Sequence, residues 1–144
     1  MRDTIIQKIQ KEYYHGIDIV QSIRDDEYID MQAEKPKRVI AEKQAMDEQG
    51  ILTNRNKDDI STEQDGLDID YREELSTWRK RSEYFKTNKA RAYALIFTYC
   101  NKTTQNRVEE SANFETKIRD DPLELLKSIK TLMYDPSRAK YGFD

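Results

Sequence analysis

The chain has one cysteine, Cys100, and one histidine, His15, among its 144 residues. A single thiol excludes an internal disulfide framework and a zinc knuckle, and a single imidazole excludes a histidine-rich metal centre. Glycine is scarce too. Gly16, Gly50, Gly66 and Gly142 stand far apart, so no glycine-rich loop can cradle a phosphate. With only three prolines as well, turn formers are too few for a β-sandwich or a dinucleotide-binding α/β domain. No apolar run approaches the roughly 20 residues of a membrane span, and none resembles a secretory signal. These absences predict a soluble, cytoplasmic, non-enzymatic protein with no cofactor, no metal, no small-molecule substrate and no membrane partner.

Charge is what the chain has in abundance. Charged residues make up 37% and hydrophobic ones 36%, against a globular norm of roughly 25% charged, so the core must be modest. Ala, Glu, Lys, Arg, Gln and Leu favour helices. The expected fold is all-α: a small bundle of about five to six helices with an irregular linker in the middle.

The pattern along the chain divides it. In residues 1–33, Thr4 with Gln7 reads as a capping box ahead of Ile6, Ile9 and Tyr13, and Gly16 as a left-handed cap ending a helix over Thr4–His15. Asp18 with Gln21 opens a second helix carrying Ile19 and Ile23, which fades before Pro36. Over residues 34–69 apolar periodicity is lost. Nine acids and six bases lie between Glu34 and Asp68, and the stretch reads as a mobile charged linker with a helical turn at Ala41–Met46.

Residues 70–134 read as the bundle. Asp70 and Glu73 open a helix with Tyr71, Leu75, Trp78 and Phe85 on one face. Ala90–Cys100 is apolar nearly all round and belongs in the middle of a bundle. Asn101–Thr104 offers cap chemistry for a short helix to about Glu110, followed by an irregular piece holding Phe114 and Ile118. Asp121, Pro122 and Glu124 start the last helix, whose stripe is Leu125, Leu126, Ile129, Leu132 and Met133, and Pro136 ends it. Expected core residues are Trp78, Tyr93, Leu95, Ile96, Phe97, Leu126 and Ile129. Residues 135–144 are a tail.

Several of these stretches together carry a resemblance. Trp78 and a basic helix precede "NKARAYALIFTYCNKTTQNRVE", then "FETKIRDDPLELLKSIK" and "YDPSRAKY", while "IIQKIQKEYYHGIDIVQSI" stands near the N-terminus. This order is similar to the Gag-like region of copia-type LTR retrotransposons, in the version found in microbial eukaryotes. The matching positions are Ala92, Tyr93, Leu95, Tyr99, Cys100, Arg107, Val108, Glu109, Asp121, Pro122, Leu125, Leu126, Ile129 and Lys130. "TYC" stands where the family more usually has "GQC", and the resemblance implies further chain beyond Asp144, including the missing knuckle. It implies a capsid-type structural protein that is helical, self-associating and non-catalytic, with itself as main partner in a homo-oligomer or particle. Protease and reverse-transcriptase motifs are absent, and Asp120–Asp121 reads as the acidic start of a helix.

One asymmetry invites a second reading. From Arg79 to Arg107 there are eight bases and one acid, a net +7 inside a chain of −3. Arg79, Lys80, Arg81, Lys86, Lys89 and Arg91, with Tyr84 and Phe85 interleaved, are candidates for weak contact with single-stranded RNA. The opposing reading is a solvated helix face whose aromatics are core, and the aromatic spacing suits packing. Trp78 fits the core stripe better than an interface anchor, Cys100 reads as a small buried hydrophobe, and His15 as a helix-end residue. The pairs Asp25/Asp26, Asp58/Asp59 and Asp120/Asp121 lack a partner that would make them catalytic. The resemblance implies assembly through protein–protein contact as the expected function. The alternative is a stand-alone helical RNA-binding or adaptor module.

Overall fold

A chain rich in helix formers and poor in breakers builds long helices, and a computed structural model, which describes residues 1–133, is mainly helical. In order it contains α1 (Arg2–Glu12), α2 (Ile17–Asp25), β1 (Gln44–Met46), β2 (Leu52–Asn54), α3 (Lys57–Thr98), α4 (Lys102–Glu109), a π-helical turn (Phe114–Ile118) and α5 (Pro122–Met133). The tail at 135–144 and Pro136 lie outside the described residues.

The caps follow side-chain chemistry. Asn101 Oδ1 accepts from the Thr104 backbone N–H at 2.8 Å at the start of α4, and Asp121 Oδ1 accepts from that of Glu124 at 3.1 Å at the start of α5. The irregular piece between them is the π-helical turn, in which Arg119 N–H donates to Phe114 O at 2.8 Å.

Four expectations are corrected. First, α1 starts at Arg2 rather than Thr4 and ends at Glu12 rather than near His15, with no side-chain cap at its start. The left-handed residue after it is His15, at φ 52°, while Gly16 has φ −68° and precedes α2. Gly16 is needed for space: a Cβ there would lie 3.0 Å from both Ile9 O and Tyr13 Cβ. Second, the irregular linker is not irregular throughout. It holds the antiparallel β1–β2 hairpin, which replaces the expected helical turn at 41–46, and the first turns of α3. Third, α3 runs unbroken for 42 residues, so the helices expected to start at Asp70 and near Ala90 are one. No proline lies between Pro36 and Pro122 to stop it, and Asn56 Oδ1 accepts from Asp58 N–H at 2.7 Å at its start. Fourth, Ala90–Cys100 is not buried all round: Ala90, Ala94, Thr98 and Tyr99 are exposed.

The described chain forms two compact units, through both of which α3 runs. The first comprises Met1–Ile29 and the chain from Glu83 onward. The N-terminal helices thus share a unit with the later helices, while 70–82 does not. Its core is Ile5, Ile6 and Ile9 of α1, Ile19, Val20 and Ile23 of α2, Phe85, Ala92, Tyr93 and Ile96 of α3, with Val108, Ile118, Leu123, Leu125 and Ile129. Of the expected core, Tyr93, Ile96 and Ile129 are buried, and Leu95, Phe97 and Leu126 are half-buried at its margin. The buried α3 positions 85, 88, 92 and 96 recur at helical spacing, and that single face is what the unit uses. Arg2 ties α1 to α2 by donating to the Ile23 and Arg24 carbonyls at 2.6 and 2.7 Å, the orphan acceptors at the end of α2.

The second unit is Asp30–Ser82. Here polar contacts hold the segment after Asp30 along α3. Trp78 is half-buried, its indole N–H donating to Met31 O at 2.7 Å with the Lys35 ammonium 5.4 Å over its ring. Arg81 pairs with Glu34, Arg38 with Asp68 at 2.9 Å, and the Gln64 amide bridges Val39 O and Ala41 N–H. Ala41 is the buried apolar residue among Asp30–Ser82. This unit is therefore stitched more by hydrogen bonds than by a core.

Candidate functional site

In the first unit, the loop between α1 and α2 lies on one face of α3. Asn88, fully buried, donates from its amide to Tyr14 O at 2.8 Å. One turn before it, the Tyr84 ring meets those of Tyr14 and His15, each at 5.2 Å between centroids, and Tyr14 and His15 meet edge-on at 5.3 Å. One turn after it, the Arg91 guanidinium lies 4.1 Å over the Tyr13 ring. Positions 84, 88 and 91 share a helix face by their spacing. The left-handed backbone at His15 turns the loop, and Asn88 pins it, so the exposed Tyr14 and Tyr84 rings cluster with the half-buried His15, and Arg91 on Tyr13 lies further along the same face. Tyr14 is 69% exposed and Tyr84 is 38% exposed.

The six cations that are candidates for RNA contact are divided between the two units. Arg79, Lys80 and Arg81 belong to the second unit; being consecutive, they fan around the helix, and Arg81 is engaged with Glu34. Lys86, Lys89 and Arg91 belong to the first. Lys89 is half-buried over the Tyr28 and Phe85 rings, at 4.1 and 4.7 Å, and burial lowers its pKa although Asp121 opposes this. Arg91 is stacked on Tyr13. Arg79, Lys80, Lys86 and Arg91 are exposed. Phe85 is buried in the core and unable to stack on a base, whereas Tyr84 belongs to the exposed cluster.

The sequence does not point to Tyr14 and His15 as partners of Tyr84; the signal it carries is two tyrosines and a histidine immediately before a glycine.

The remaining reactive groups have structural duties. Cys100 is half-buried, its thiol 3.6 Å from Ile96 O, and burial pushes its pKa up, away from the reactive thiolate. Asp25 accepts from the Gln21 amide at 2.8 Å, Asp26 ends α2 in the left-handed region, Asp58 and Asp59 fall in the first turn of α3, and Asp121 caps α5. Among the described residues no group of three or more His, Cys, Asp or Glu side chains could hold a metal ion, and no helix is long and apolar enough to cross a membrane. Comparison with protein-family models, curated proteins and solved structures finds no match.

Proposed function

We propose that this chain is a capsid-type assembly unit, a Gag-like structural protein of the copia retrotransposon type, which works by binding further copies of itself without catalysis. The observation that carries this reading is the number of large apolar side chains left exposed on a chain with few to spare. Tyr14, Ile17, Val39, Ile40, Met46, Ile51, Leu52, Tyr84 and Tyr99 are all exposed. Scattered single residues of this kind need no explanation, but clusters mark contact sites. The alternative, an RNA-binding module, is favoured by the net positive stretch. It is disfavoured by the engagement of Arg81 with Glu34 and of the half-buried Lys89 with the Tyr28 and Phe85 rings, which spends these two candidate cations on internal contacts.

Small contacts with polar rims bind weakly one at a time, and a shell multiplies them. Negative-stain electron microscopy of the concentrated chain tests the reading. Regular oligomers or closed particles are expected. A field of monomers at every concentration, together with tight RNA binding that weakens with salt, would overturn it in favour of the RNA module.

A further inference from the structure

The β1–β2 hairpin is more firmly built than its apolar residues require. Asp47 Oδ1 accepts from the Gln49 and Ile51 backbone N–H groups at 2.9 and 2.8 Å, and Gly50 supplies the left-handed step at φ 81°. At the base, Arg55 donates to Glu42 O at 2.9 Å and pairs with Glu63. Gln44 and Asn54, a cross-strand pair, bond at 3.2 Å. The turn and the base thus fix the register, while all six strand residues are exposed. On one face Met46 pairs across the ladder with Leu52, at 67% and 58% exposure, and Ile51 beside them is exposed as well. Isolated two-stranded hairpins are marginal in water, so an apolar tip on one gains by being covered.

The chain itself carries a surface of fitting chemistry. The hairpin turn is acidic, with Asp47 and Glu48 and no base between Met46 and Ile51. The aromatic cluster of Tyr14, His15 and Tyr84 shares its face of α3 with Arg91, about two helical turns further on, whose exposed guanidinium lies over the Tyr13 ring. Apolar tip suits aromatic surface, and acid suits cation. We infer that the hairpin is a docking arm, and that Met46 and Leu52 of one copy seat on the Tyr14–Tyr84 surface of a second copy with Glu48 facing Arg91. Such a contact joins two different patches, so it is head-to-tail and the joined pair keeps one arm and one receiving surface free for the next copy. This rests on the self-association proposed above and gives it a direction.

Sedimentation velocity of four chains and one mixture tests it. The Met46→Thr, Leu52→Thr double variant keeps strand-forming residues in place. It should weaken association by about tenfold or more, as expected for loss of a central apolar contact. Glu48→Arg alone and Arg91→Glu alone should each weaken it too, whereas an equimolar mixture of these two variants should restore it, because every arm then finds an oppositely charged surface. Restoration also shows that both variants are folded. If the unsubstituted chain associates and the arm variants associate equally well, the arm is wrong while the assembly reading stands. If the arm variants weaken association but Arg91→Glu has no effect and the mixture gives no rescue, hairpins pair with hairpins and the head-to-tail contact is overturned. A strictly monomeric unsubstituted chain overturns both.

Discussion

The Tyr28 hydroxyl donates to Asp121 Oδ1 and at the same time accepts from the Leu123 backbone N–H at 3.3 Å, across more than ninety residues of sequence. One side chain from the segment after α2 thereby completes the cap of α5, satisfying a donor that the start of a helix would otherwise leave orphaned. The Tyr28 ring packs edge-on against Phe85, at 6.1 Å between centroids, under the Lys89 ammonium. The segment after α2, α3 and the start of α5 therefore meet at this residue.

Tyr28→Phe should keep the ring contacts and remove both hydrogen bonds. The expected loss is about 1–3 kcal/mol, since Asp121 and the Leu123 N–H each lose a partner in a half-buried setting. Urea unfolding at neutral pH reads it directly. An unchanged midpoint would show that the hydroxyl contributes nothing to docking.

The same hydroxyl sets a pH dependence. Burial first, then the bond to Asp121, raises the Tyr28 pKa far above its ordinary 10.0. Its folded-state pKa exceeds the unfolded one, so the folded chain holds the proton that the unfolded chain releases. The associated stability is fully present below pH 10 and declines as pH rises beyond it. Thermal unfolding between neutral and strongly alkaline pH should show that decline, and Tyr28→Phe should make it shallower. An identical slope in the variant would contradict the assignment.

Much of the helix chemistry was legible, and what was missed has physical causes. Asn101 and the Asp121–Pro122–Glu124 start are short-range signals, since a cap depends on three or four neighbouring residues. The start of α3 was not legible because charged residues at 57–69 suit a solvated helix as well as a loop, Gly66 weighs toward the loop, and only the absence of a proline favours the helix. The hairpin was marked by Asp47–Gly50 between short apolar pairs, a turn signal that the surrounding charge obscured. For the candidate surface, Tyr84 stood in view, but its partners Tyr14 and His15 lie seventy residues away and meet it through the tertiary fold.

Adjacent leucines illustrate the same limit. Leu125 and Leu126 both belong to the α5 stripe, and the rotation of the helix about its axis decides which is enclosed. Leu125 is fully buried and Leu126 half-buried. Leu125→Ala should cost about 2–5 kcal/mol and Leu126→Ala distinctly less. Equal losses, or the reverse order, in paired unfolding curves would place the wrong face inward.

Two glycines should respond in opposite senses to alanine. Gly16→Ala puts a methyl 3.0 Å from the Ile9 carbonyl oxygen and the Tyr13 Cβ, and should destabilise by about 1–3 kcal/mol. Gly66→Ala adds a methyl inside α3 with nothing within 4 Å, and should stabilise by about 0.5–1 kcal/mol. Melting curves of the two variants check both signs.

The central claim is that this chain's chemistry lies in contacts with its own copies. Sedimentation velocity over a wide concentration range, with and without single-stranded RNA and at low and high salt, tests it most directly. The account predicts monomer or dimer at micromolar concentration and larger species as concentration rises, with or without RNA. A species that stays monomeric throughout and gains mass only when RNA is added at low salt would contradict it.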